Sequence, residues 1–453
     1  EVFHGEGILA VTKALLQSGV AYVGGYQGAP VSHLLDVLLD AEELMDEMGI
    51  HVETGTNEAA AAAMLGASIN YPLRGAVGWK SIVGTNVAAD ALSNLASPGV
   101  IGGALIVSGE DYGEGASIIQ ERTLSMAMKS SMWLVDPRPN LTSIVDTVES
   151  SFELSEASNT PVIMQLRIRS CHVQGRFIAR DNKKPPINTR ERQKEPAPFN
   201  YGRLAHPPVT FAQEKLKVEE RLPAAQKFIC DRKLNEFFDG DIERLGIIVP
   251  GGLYNTLIRR LARLGLADDF GNSKIPLMVL NVVFPLVPDQ IRDFAAGKDA
   301  VLIIEEGNPE YIEHQINTIL RKADIQTRLH GKDVFPMAGE YSGAVMHQGL
   351  MGFIEAEGLG IGDPEQIRAE ADRIDAAMDG AEAAFPTALP PRPPQFCTGC
   401  PERPVFSALK LLQEDIGKVH IAADIGCHAF ATFEPFSMGN SILGYGMSLA
   451  SAA

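Results

Sequence analysis

Three of the five cysteines of this 453-residue chain lie close together near its C-terminal end. Cys397 and Cys400 form a C-x-x-C pair, and Cys427 follows the segment Ala423-Asp-Ile-Gly426. Thiolates in such patterns can hold zinc or an iron–sulfur cluster, or form a redox dithiol. A zinc ribbon needs a second C-x-x-C or a histidine pair, which does not follow, and a cluster needs a fourth thiolate. Three packed thiols without metal are an equal alternative to three cluster ligands.

Glu58 is the strongest candidate for acid–base catalysis. It begins an Ala-rich segment, directly after a short strand and the turn Gly55-Thr-Asn57. A carboxylate at a helix start ordinarily compensates the helix dipole, and this is the simpler explanation. However, few neighbours in the sequence can neutralise Glu58. A partly buried glutamate with a raised pKa would suit the protonation of a ring nitrogen.

A Gly-rich turn, Gly24-Gly-Tyr-Gln-Gly-Ala-Pro30, follows the first apolar strand. Most such loops only form a tight turn. The turn lacks the G-x-G-x-x-G spacing of a dinucleotide site and the Lys-Ser/Thr of a phosphate-binding loop. On its own it is a weak sign of a cofactor.

Short apolar strands alternate with helical segments in the first part of the chain. This alternation predicts an α/β fold with parallel sheets that are covered on both faces, the doubly wound arrangement. The predicted helices are 7–18, 31–48 and 57–69, and the predicted strands are 21–25, 51–54, 75–78, 103–107 and 161–167.

The chain is too long for a single core, so we predict several domains. The residues 245–249, 277–280 and 300–304 predict strands of a second sheet, and 364–383 predicts a charged helix. The final run 444–453 has no helix stop signal, so we expect the polypeptide to continue. The predicted divisions are an α/β domain at 1–175, a linker or extended segment at 176–240, a second α/β domain at 241–355, a helical and Pro-rich connector at 356–394, and the start of a third α/β domain at 395–453.

Composition limits the class of partner. The formal net charge of -18 argues against nucleic acid, which requires a dense basic surface. No apolar run is long enough to cross a bilayer, and no signal peptide is recognisable. An odd number of cysteines disfavours a disulfide framework and favours a reducing cytoplasm. Cys171 and Cys230 stand alone and are expected to be packing residues.

Taken together, these motifs resemble the large (alpha) subunits of the indolepyruvate ferredoxin oxidoreductases, within the 2-oxoacid:ferredoxin oxidoreductase superfamily. The resemblance extends over nearly the whole chain, and its two cysteine motifs are the specific ones. It implies a thiamine diphosphate-binding fold with a pyrimidine-type domain, a transketolase-C-like domain and a diphosphate-type domain. The matching segments are Gly25–Pro30, Thr56–Glu58, Gly84–Asp90, Gln120–Arg122, Cys397–Arg403 and Asp424–Cys427.

The resemblance also implies roles for individual residues. Glu58 matches the catalytic glutamate that contacts N1′ of the aminopyrimidine ring. Gln27 and Arg122 match substrate-contacting positions, although Gln27 and Ala29 stand where the family commonly has Pro and Thr, so substrate choice can differ. The implied cofactor-binding residues are Gly28, Ala29, Pro30, Asn57, Glu58, Asn86, Asp424, Ile425 and Gly426, and the implied iron–sulfur ligands are Cys397, Cys400 and Cys427.

The implied activity is the oxidative decarboxylation of a 2-oxo acid, an arylpyruvate such as indolepyruvate, to acyl-CoA and carbon dioxide. The implied cofactors are thiamine diphosphate, Mg2+ and 4Fe–4S clusters, with ferredoxin as electron acceptor. The implied partner is a small beta subunit, or a fused equivalent domain, in a homo- or hetero-oligomer. The magnesium motif of the family lies beyond residue 453, so its ligands are not assigned. A non-redox decarboxylase and a non-catalytic scaffold subunit are the alternatives.

Overall fold

The computed structural model describes residues 1–112, 119–187, 196–268, 270–358, 364–385, 387, 395–424 and 426–443. The chain divides into two compact units, Glu1–Ile374 and Asp375–Ala453. The first unit contains both α/β domains predicted from the sequence, together with the segment between them. The division between the units lies inside the predicted connector.

The described part of the first unit contains strands and helices in alternation. The strands are β1 (Val2–Glu6), β2 (Tyr22–Gly25), β3 (His51–Thr54), β4 (Gly75–Lys80), β5 (Ala104–Gly109), β6 (Trp133–Val135), β7 (Val162–Leu166), β8 (Gln174–Ile178), β9 (Glu236–Phe238), β10 (Leu245–Pro250), β11 (Leu277–Leu280), β12 (Val282–Phe284), β13 (Ala300–Ile303) and β14 (Arg328–His330). The helices are α1 (Gly7–Gln17), α2 (His33–Asp40), α3 (Glu42–Met48), α4 (Glu58–Met64), α5 (Ala67–Asn70), α6 (Val83–Val87), α7 (Ala89–Ala96), α8 (Thr123–Ser130), α9 (Leu141–Ser158), α10 (Ile168–Cys171), α11 (Val209–Leu216), α12 (Leu222–Asp231), α13 (Tyr254–Arg263), α14 (Pro288–Ala295), α15 (Tyr311–Lys322) and α16 (Gly343–Ala356). The division between the two units falls within a further helix, α17 (Pro364–Ala383).

A seven-stranded sheet forms the first layer, in the order β12-β6-β7-β5-β4-β2-β3. All of its strand pairs are parallel except β12 with β6. The residues of its central strands β5 and β7 are all buried, because helices cover both faces. The predicted α/β architecture with a parallel sheet is confirmed.

A five-stranded sheet follows, in the order β14-β13-β10-β11-β9. Its strands are parallel except for the antiparallel edge strand β9. The three strands predicted from apolar runs are confirmed as β10, β11 and β13. The chain then crosses directly from β11 to β12, so residues from the predicted second domain complete the first sheet.

The segment 176–240, predicted as a linker or extended segment, contains helices in its second half. Residues 209–231 form α11, a π-helical turn at Lys217–Arg221, and α12. Lys215 and Glu219 form an ion pair at the i, i+4 spacing that is typical of a helix. The prolines and charges nearby in the sequence hid this sign of a helix. Upstream, β8 pairs antiparallel with β1, so the polar chain after residue 172 begins as a strand.

Two predicted helices are each broken into two. The helix expected at 31–48 breaks at Ala41, between α2 and α3. Acidic residues explain why the helix breaks at Ala41. The negative charge of Asp40 is unfavourable near the end of a helix dipole, while the charges of Glu42 and Glu43 favour the start of a new helix. The Ala-rich helix expected at 57–69 breaks at Gly66, the weakest helix former in that run.

The described part of the second unit contains α18 (Glu402–Ile416), a 3-10 helix at Cys427–Thr432, and two parallel strands, β15 (Ala422–Asp424) and β16 (Ser441–Leu443). The strand expected before Cys427 is therefore present, although shorter than predicted. Phe396 stacks on Phe406 of α18, with ring centroids 5.6 Å apart. This contact fixes the start of the cysteine motif against the helix.

Two further sequence predictions can be compared with the structure. None of the helices in the described ranges is both long and apolar enough to cross a bilayer. Cys171 is buried, as expected for a packing residue, and burial raises the pKa of its thiol. The same prediction was wrong for Cys230, which is exposed at the end of α12 because it lies on the outer face of that helix.

Candidate functional site

The carboxyl edge of the seven-stranded sheet carries most of the candidate residues of the first unit. The turn after β3 leads to Glu58, and the Gly-rich loop follows β2. The segment after β4 leads into α6, and Glu110 follows β5. Parallel strands end at a common edge, so the topology gathers segments that are far apart in the sequence.

Glu58 is the first residue of α4 and is completely buried. Asn57 caps this helix, because its side-chain oxygen accepts a hydrogen bond from the Ala60 N–H at 2.9 Å. Neither carboxylate oxygen of Glu58 has a hydrogen-bond partner among the described residues. Burial raises the pKa of Glu58. A buried carboxyl without a partner is costly, so this group marks a candidate functional site.

Gly84 of α6 permits a close approach to the Glu58 carboxyl. A Cβ at position 84 would lie 2.8 Å from Glu58 Cγ, 2.9 Å from its Oε1 and 2.8 Å from Trp79 Cδ1. The Trp79 indole N–H donates to Thr85 Oγ1 at 3.1 Å, and Ser81 Oγ lies 2.8 Å from the same atom. The indole donor next to Glu58 is thus already used, which leaves the carboxyl able to bind an external partner.

The Gly-rich loop passes over the end of β4. A Cβ at Gly28 would lie 2.5 Å from both the backbone nitrogen and the Cβ of Lys80, so only glycine fits at this contact. The Gly28 N–H donates to Ser32 Oγ at 2.9 Å, which closes the turn. Ala29 is exposed and Pro30 is buried. The loop is therefore fixed on the strand end, with position 29 presented outward.

Two other predicted binding residues lie on the surface. Gln27 is exposed, and its amide donates to Asp36 Oδ1 at 3.3 Å. Asn86 is also exposed, and its amide donates to Glu121 Oε2 at 3.0 Å. Both side chains contact surface carboxylates, and their binding roles stay predictions.

The structure gives Arg122 a protein partner that the sequence did not indicate. Arg122 is buried and forms a short ion pair with Glu305, while its Nη1 donates to the Pro309 carbonyl at 2.7 Å. Glu305 also accepts hydrogen bonds from the N–H groups of Ile312 and Glu313, at 2.9 and 3.0 Å. The guanidinium predicted to contact substrate is already neutralised, and its substrate role stays a prediction.

A second buried ion pair, Arg167–Glu306, also joins the carboxyl edges of the two sheets. Asp136, at the end of β6, lies 3.9 Å from the Arg167 guanidinium. Glu110 accepts a hydrogen bond from the Tyr112 hydroxyl at 2.5 Å. Sequence reasoning missed this cluster because its members come from segments that lie far apart in the sequence. The available signal was a charged residue directly after a buried strand, as with Asp136 and Glu110.

The buried carboxyl of Asp136 should make stability depend on pH. Burial raises the pKa of Asp136 from 3.8 to about 6. The protonated carboxyl of Asp136 contributes its full stabilisation at pH values below its pKa in the unfolded chain. That stabilisation is lost as the pH rises through the pKa of Asp136 in the folded protein. Between pH 5 and 7.5, the free energy of unfolding should fall by about 1–2 kcal/mol more in the wild type than in Asp136→Asn. Urea unfolding at both pH values measures this difference.

The matched control for that experiment is Asp239→Asn, because Asp239 is exposed. Its unfolding curves should shift with pH as those of the wild type do. Parallel pH profiles for the wild type and Asp136→Asn would contradict the predicted titration.

In the second unit, the C-x-x-C motif forms a turn. The Cys400 N–H donates to the Cys397 carbonyl at 3.1 Å. Gly399 has a φ of +78°, a conformation that favours glycine. Both cysteines are free thiols, Cys397 exposed and Cys400 half-buried. The turn thus places both thiols where a ligand can reach them.

The remaining predicted residues of this unit are only partly described. Asp424 ends β15, and Gly426 is exposed. The side chains of Asp424 and Cys427, and all of Ile425, lie outside the described residues, as does the run 444–453. Within the described ranges, no group of three or more His, Cys, Asp and Glu side chains is placed to hold a metal ion. The role of Cys397, Cys400 and Cys427 as iron–sulfur ligands stays a prediction.

Comparison with known proteins gives sequence relatives for nearly the whole chain. Residues 235–344 match the model of the indolepyruvate ferredoxin oxidoreductase middle domain. The chain is 26% identical over 452 residues to indolepyruvate oxidoreductase subunit IorA of Methanothermobacter marburgensis, covering 98% of this chain and 66% of that protein. It is 27% identical over 459 residues to the same subunit of Thermococcus kodakarensis, covering 97% of this chain and 65% of that protein. The chain therefore spans slightly less than two-thirds of the length of these relatives.

Among solved structures, the chain is similar to a 2-oxoglutarate:ferredoxin oxidoreductase from Magnetococcus marinus. The TM-score is 0.54 at 16% identity, over 73% of this chain and 62% of that chain. That structure has 2-oxoglutarate, coenzyme A and succinyl-CoA bound. At this identity the likeness shows the fold alone, and it agrees with the thiamine diphosphate-binding architecture expected from the sequence.

Proposed function

We propose that this chain, which is homologous to the IorA subunits of indolepyruvate oxidoreductase, carries the decarboxylating site of a 2-oxo acid oxidoreductase. The observation that supports this most is Glu58, a completely buried carboxyl without a hydrogen-bond partner at the carboxyl edge of the sheet. A carboxyl with a raised pKa can share a proton with a ring nitrogen. The names of the relatives make indolepyruvate the first substrate to test.

The described residues fit the aminopyrimidine half of thiamine diphosphate. Glu58 would hold the ring nitrogen N1′, since its carboxyl is otherwise unpartnered. When bound, the cofactor supplies an electron sink for the carbon–carbon bond that breaks as carbon dioxide leaves. Gly84 and Trp79 exclude water from one side of the Glu58 carboxyl. The Trp79 indole N–H donates to Thr85, so it does not donate a hydrogen bond to that carboxyl. The protein thus keeps one proton site dry and unpartnered, as transfer to a ring requires.

The proposal extends to a second half-site and to electron transfer. Asp424, Ile425 and Gly426 would face the diphosphate and Mg2+, in one chain or across a dimer. Electrons would pass through 4Fe–4S clusters to ferredoxin, and coenzyme A would take the acyl group. The name of the relatives, a subunit, supports a partner such as a small beta subunit or a fused equivalent domain.

The proposed function is tested by acceptor reduction in the assembled, cofactor-loaded enzyme. The panel is indolepyruvate, phenylpyruvate, pyruvate and 2-oxoglutarate, each with and without coenzyme A. Each turnover should convert one 2-oxo acid anion and one coenzyme A to acyl-CoA, carbon dioxide, one proton and two electrons on the acceptor. Carbon dioxide release without acceptor reduction would favour the non-redox decarboxylase. Failure to retain thiamine diphosphate would favour the scaffold subunit.

Cys397→Ser should remove iron from the assembled enzyme if the cysteine motif holds a cluster. Both thiols of the motif are accessible on one turn, as a cluster needs. Anaerobic iron analysis and paramagnetic resonance should show a loss of one cluster. Cys230→Ser is the control, because that thiol is also exposed but isolated. Unchanged iron content in Cys397→Ser would make Cys397 a structural residue, with electrons leaving through other clusters.

A further inference from the structure

We propose that Lys80 binds the carboxylate of the 2-oxo acid substrate, a role that rests on the proposed function. Lys80 is the last residue of β4 and pairs with Gly109 at the end of β5. Gly28 of the Gly-rich loop lies directly against its backbone. Lys80 therefore stands where the loop that carries the predicted cofactor-binding residues covers the carboxyl edge of the sheet.

A 2-oxo acid carries a permanent carboxylate, so its site needs a cation with hydrogen-bond donors to spare. The arginines that follow described strands at this edge suit this role less well, because a protein carboxylate already balances the charge of each. The pairs are Arg122–Glu305, Arg138–Glu236, Arg167–Glu306 and Arg169–Glu340. Arg122 and Arg167 each keep one buried donor, Nε, without a hydrogen-bond partner among the described residues.

Lys80 differs from these arginines in the weakness of its pairing. Among the described residues, its contact with a carboxylate is a single one, from Nζ to Asp111 Oδ2 at 3.3 Å. Asp111 is held independently of the lysine, since its Oδ1 accepts a hydrogen bond from the Ile168 N–H at 2.7 Å. An ammonium has three donors, so Lys80 can keep Asp111 and bind a second carboxylate.

The surroundings of the Lys80–Asp111 pair also suit a binding role. The Lys80 side chain is 18% exposed and that of Asp111 is 11% exposed. This is enough access for a small acid, while the partial burial strengthens the attraction between charges.

Asp111 has an opposing role in this arrangement. It competes with the substrate carboxylate for the Lys80 ammonium, and so weakens ground-state binding. When the carboxylate leaves as neutral carbon dioxide, Asp111 remains to compensate the charge. Removal of the two partners of this ion pair should therefore change substrate affinity in opposite directions.

The test is a comparison of KM and kcat for indolepyruvate in the assembled, thiamine diphosphate-loaded enzyme. Lys80→Met should raise KM about 10- to 100-fold, the effect of losing a hydrogen bond to a charged group. Lys80→Arg should restore most of the affinity, because it restores the cation. Asp111→Asn should lower KM several-fold. Melting temperature and thiamine diphosphate affinity should stay near wild type in Lys80→Met, with Lys80→Gln as a second variant if the first does not fold.

A binding measurement separates this inference from the proposed function. A non-reacting aryl carboxylate should raise the melting temperature of the wild type but not of Lys80→Met, while a neutral aryl ketone should act equally on both. An unchanged KM and an unchanged carboxylate shift in Lys80→Met would overturn the assignment. Equal increases in KM for Lys80→Met and Asp111→Asn, with equal losses of stability, would overturn it as well. If the wild type turns over no 2-oxo acid, the proposed function fails, and the carboxylate shift alone decides the role of Lys80.

Discussion

Glu58→Gln should fold normally and lose turnover by about 10²- to 10⁴-fold, the range for a lost acid–base group. Glutamine keeps the shape of the side chain against Gly84 but cannot exchange a proton with a ring nitrogen. The same change should not reduce stability. Burial raises the pKa of Glu58, so the ionised wild-type side chain costs stability as the pH rises through that folded-state pKa. Glutamine does not ionise, and the variant should be at least as stable as the wild type at neutral pH.

The measurement is kcat with the best 2-oxo acid, alongside thiamine diphosphate affinity and urea unfolding at neutral pH. Glu53→Gln is the matched control, because Glu53 is an exposed carboxylate on the strand that leads to the same turn. It should retain nearly wild-type turnover. A Glu58→Gln enzyme with nearly wild-type turnover would remove Glu58 from the chemistry. Lost turnover together with lost stability would instead indicate a structural role.

The local sequence was sufficient to predict the elements that depend on local pattern. The apolar runs at β10, β11 and β13 were recognisable because strands buried on both faces have no polar alternation. Glu58 was recognisable because it is a charge at the start of an otherwise Ala-rich helix. The sequence could not establish that this carboxyl is completely buried and unpartnered. That property depends on Gly84 and Trp79, which come from another strand and helix.

The sequence was insufficient where contacts between distant residues decide the structure. The pairing of β1 with β8 joins the first residues to a segment that had the composition of a linker. The pair Arg122–Glu305 spans 183 positions in the sequence. In the sequence alone, Arg122 is a cation without an evident partner. The resemblance to a family led to its interpretation as a residue that contacts the substrate. Only the meeting of the two sheet edges shows that the cation has a protein partner.

Arg122→Met should lower the free energy of unfolding by about 3–5 kcal/mol, because it leaves a buried carboxylate without its cation. The Arg122 and Glu305 side chains are 7% and 1% exposed, so water cannot compensate for the lost charge. Glu305 would keep its hydrogen bonds from the start of α15 but lose the cation that pairs with it. Arg122→Met/Glu305→Gln should recover much of the loss, since it removes both charges. Urea unfolding of the single and double variants measures the coupling.

The control is Lys227→Met, which breaks an exposed helical ion pair with Asp231 and should cost no more than about 0.5 kcal/mol. The same variants decide between the two roles of Arg122. If Arg122 joins the two sheets, Arg122→Met loses stability, and the double variant regains both stability and substrate affinity. If Arg122 instead binds the substrate carboxylate, KM should rise in both variants while stability changes little. The first result would leave Lys80 as the cation for the substrate, and the second would return that role to Arg122.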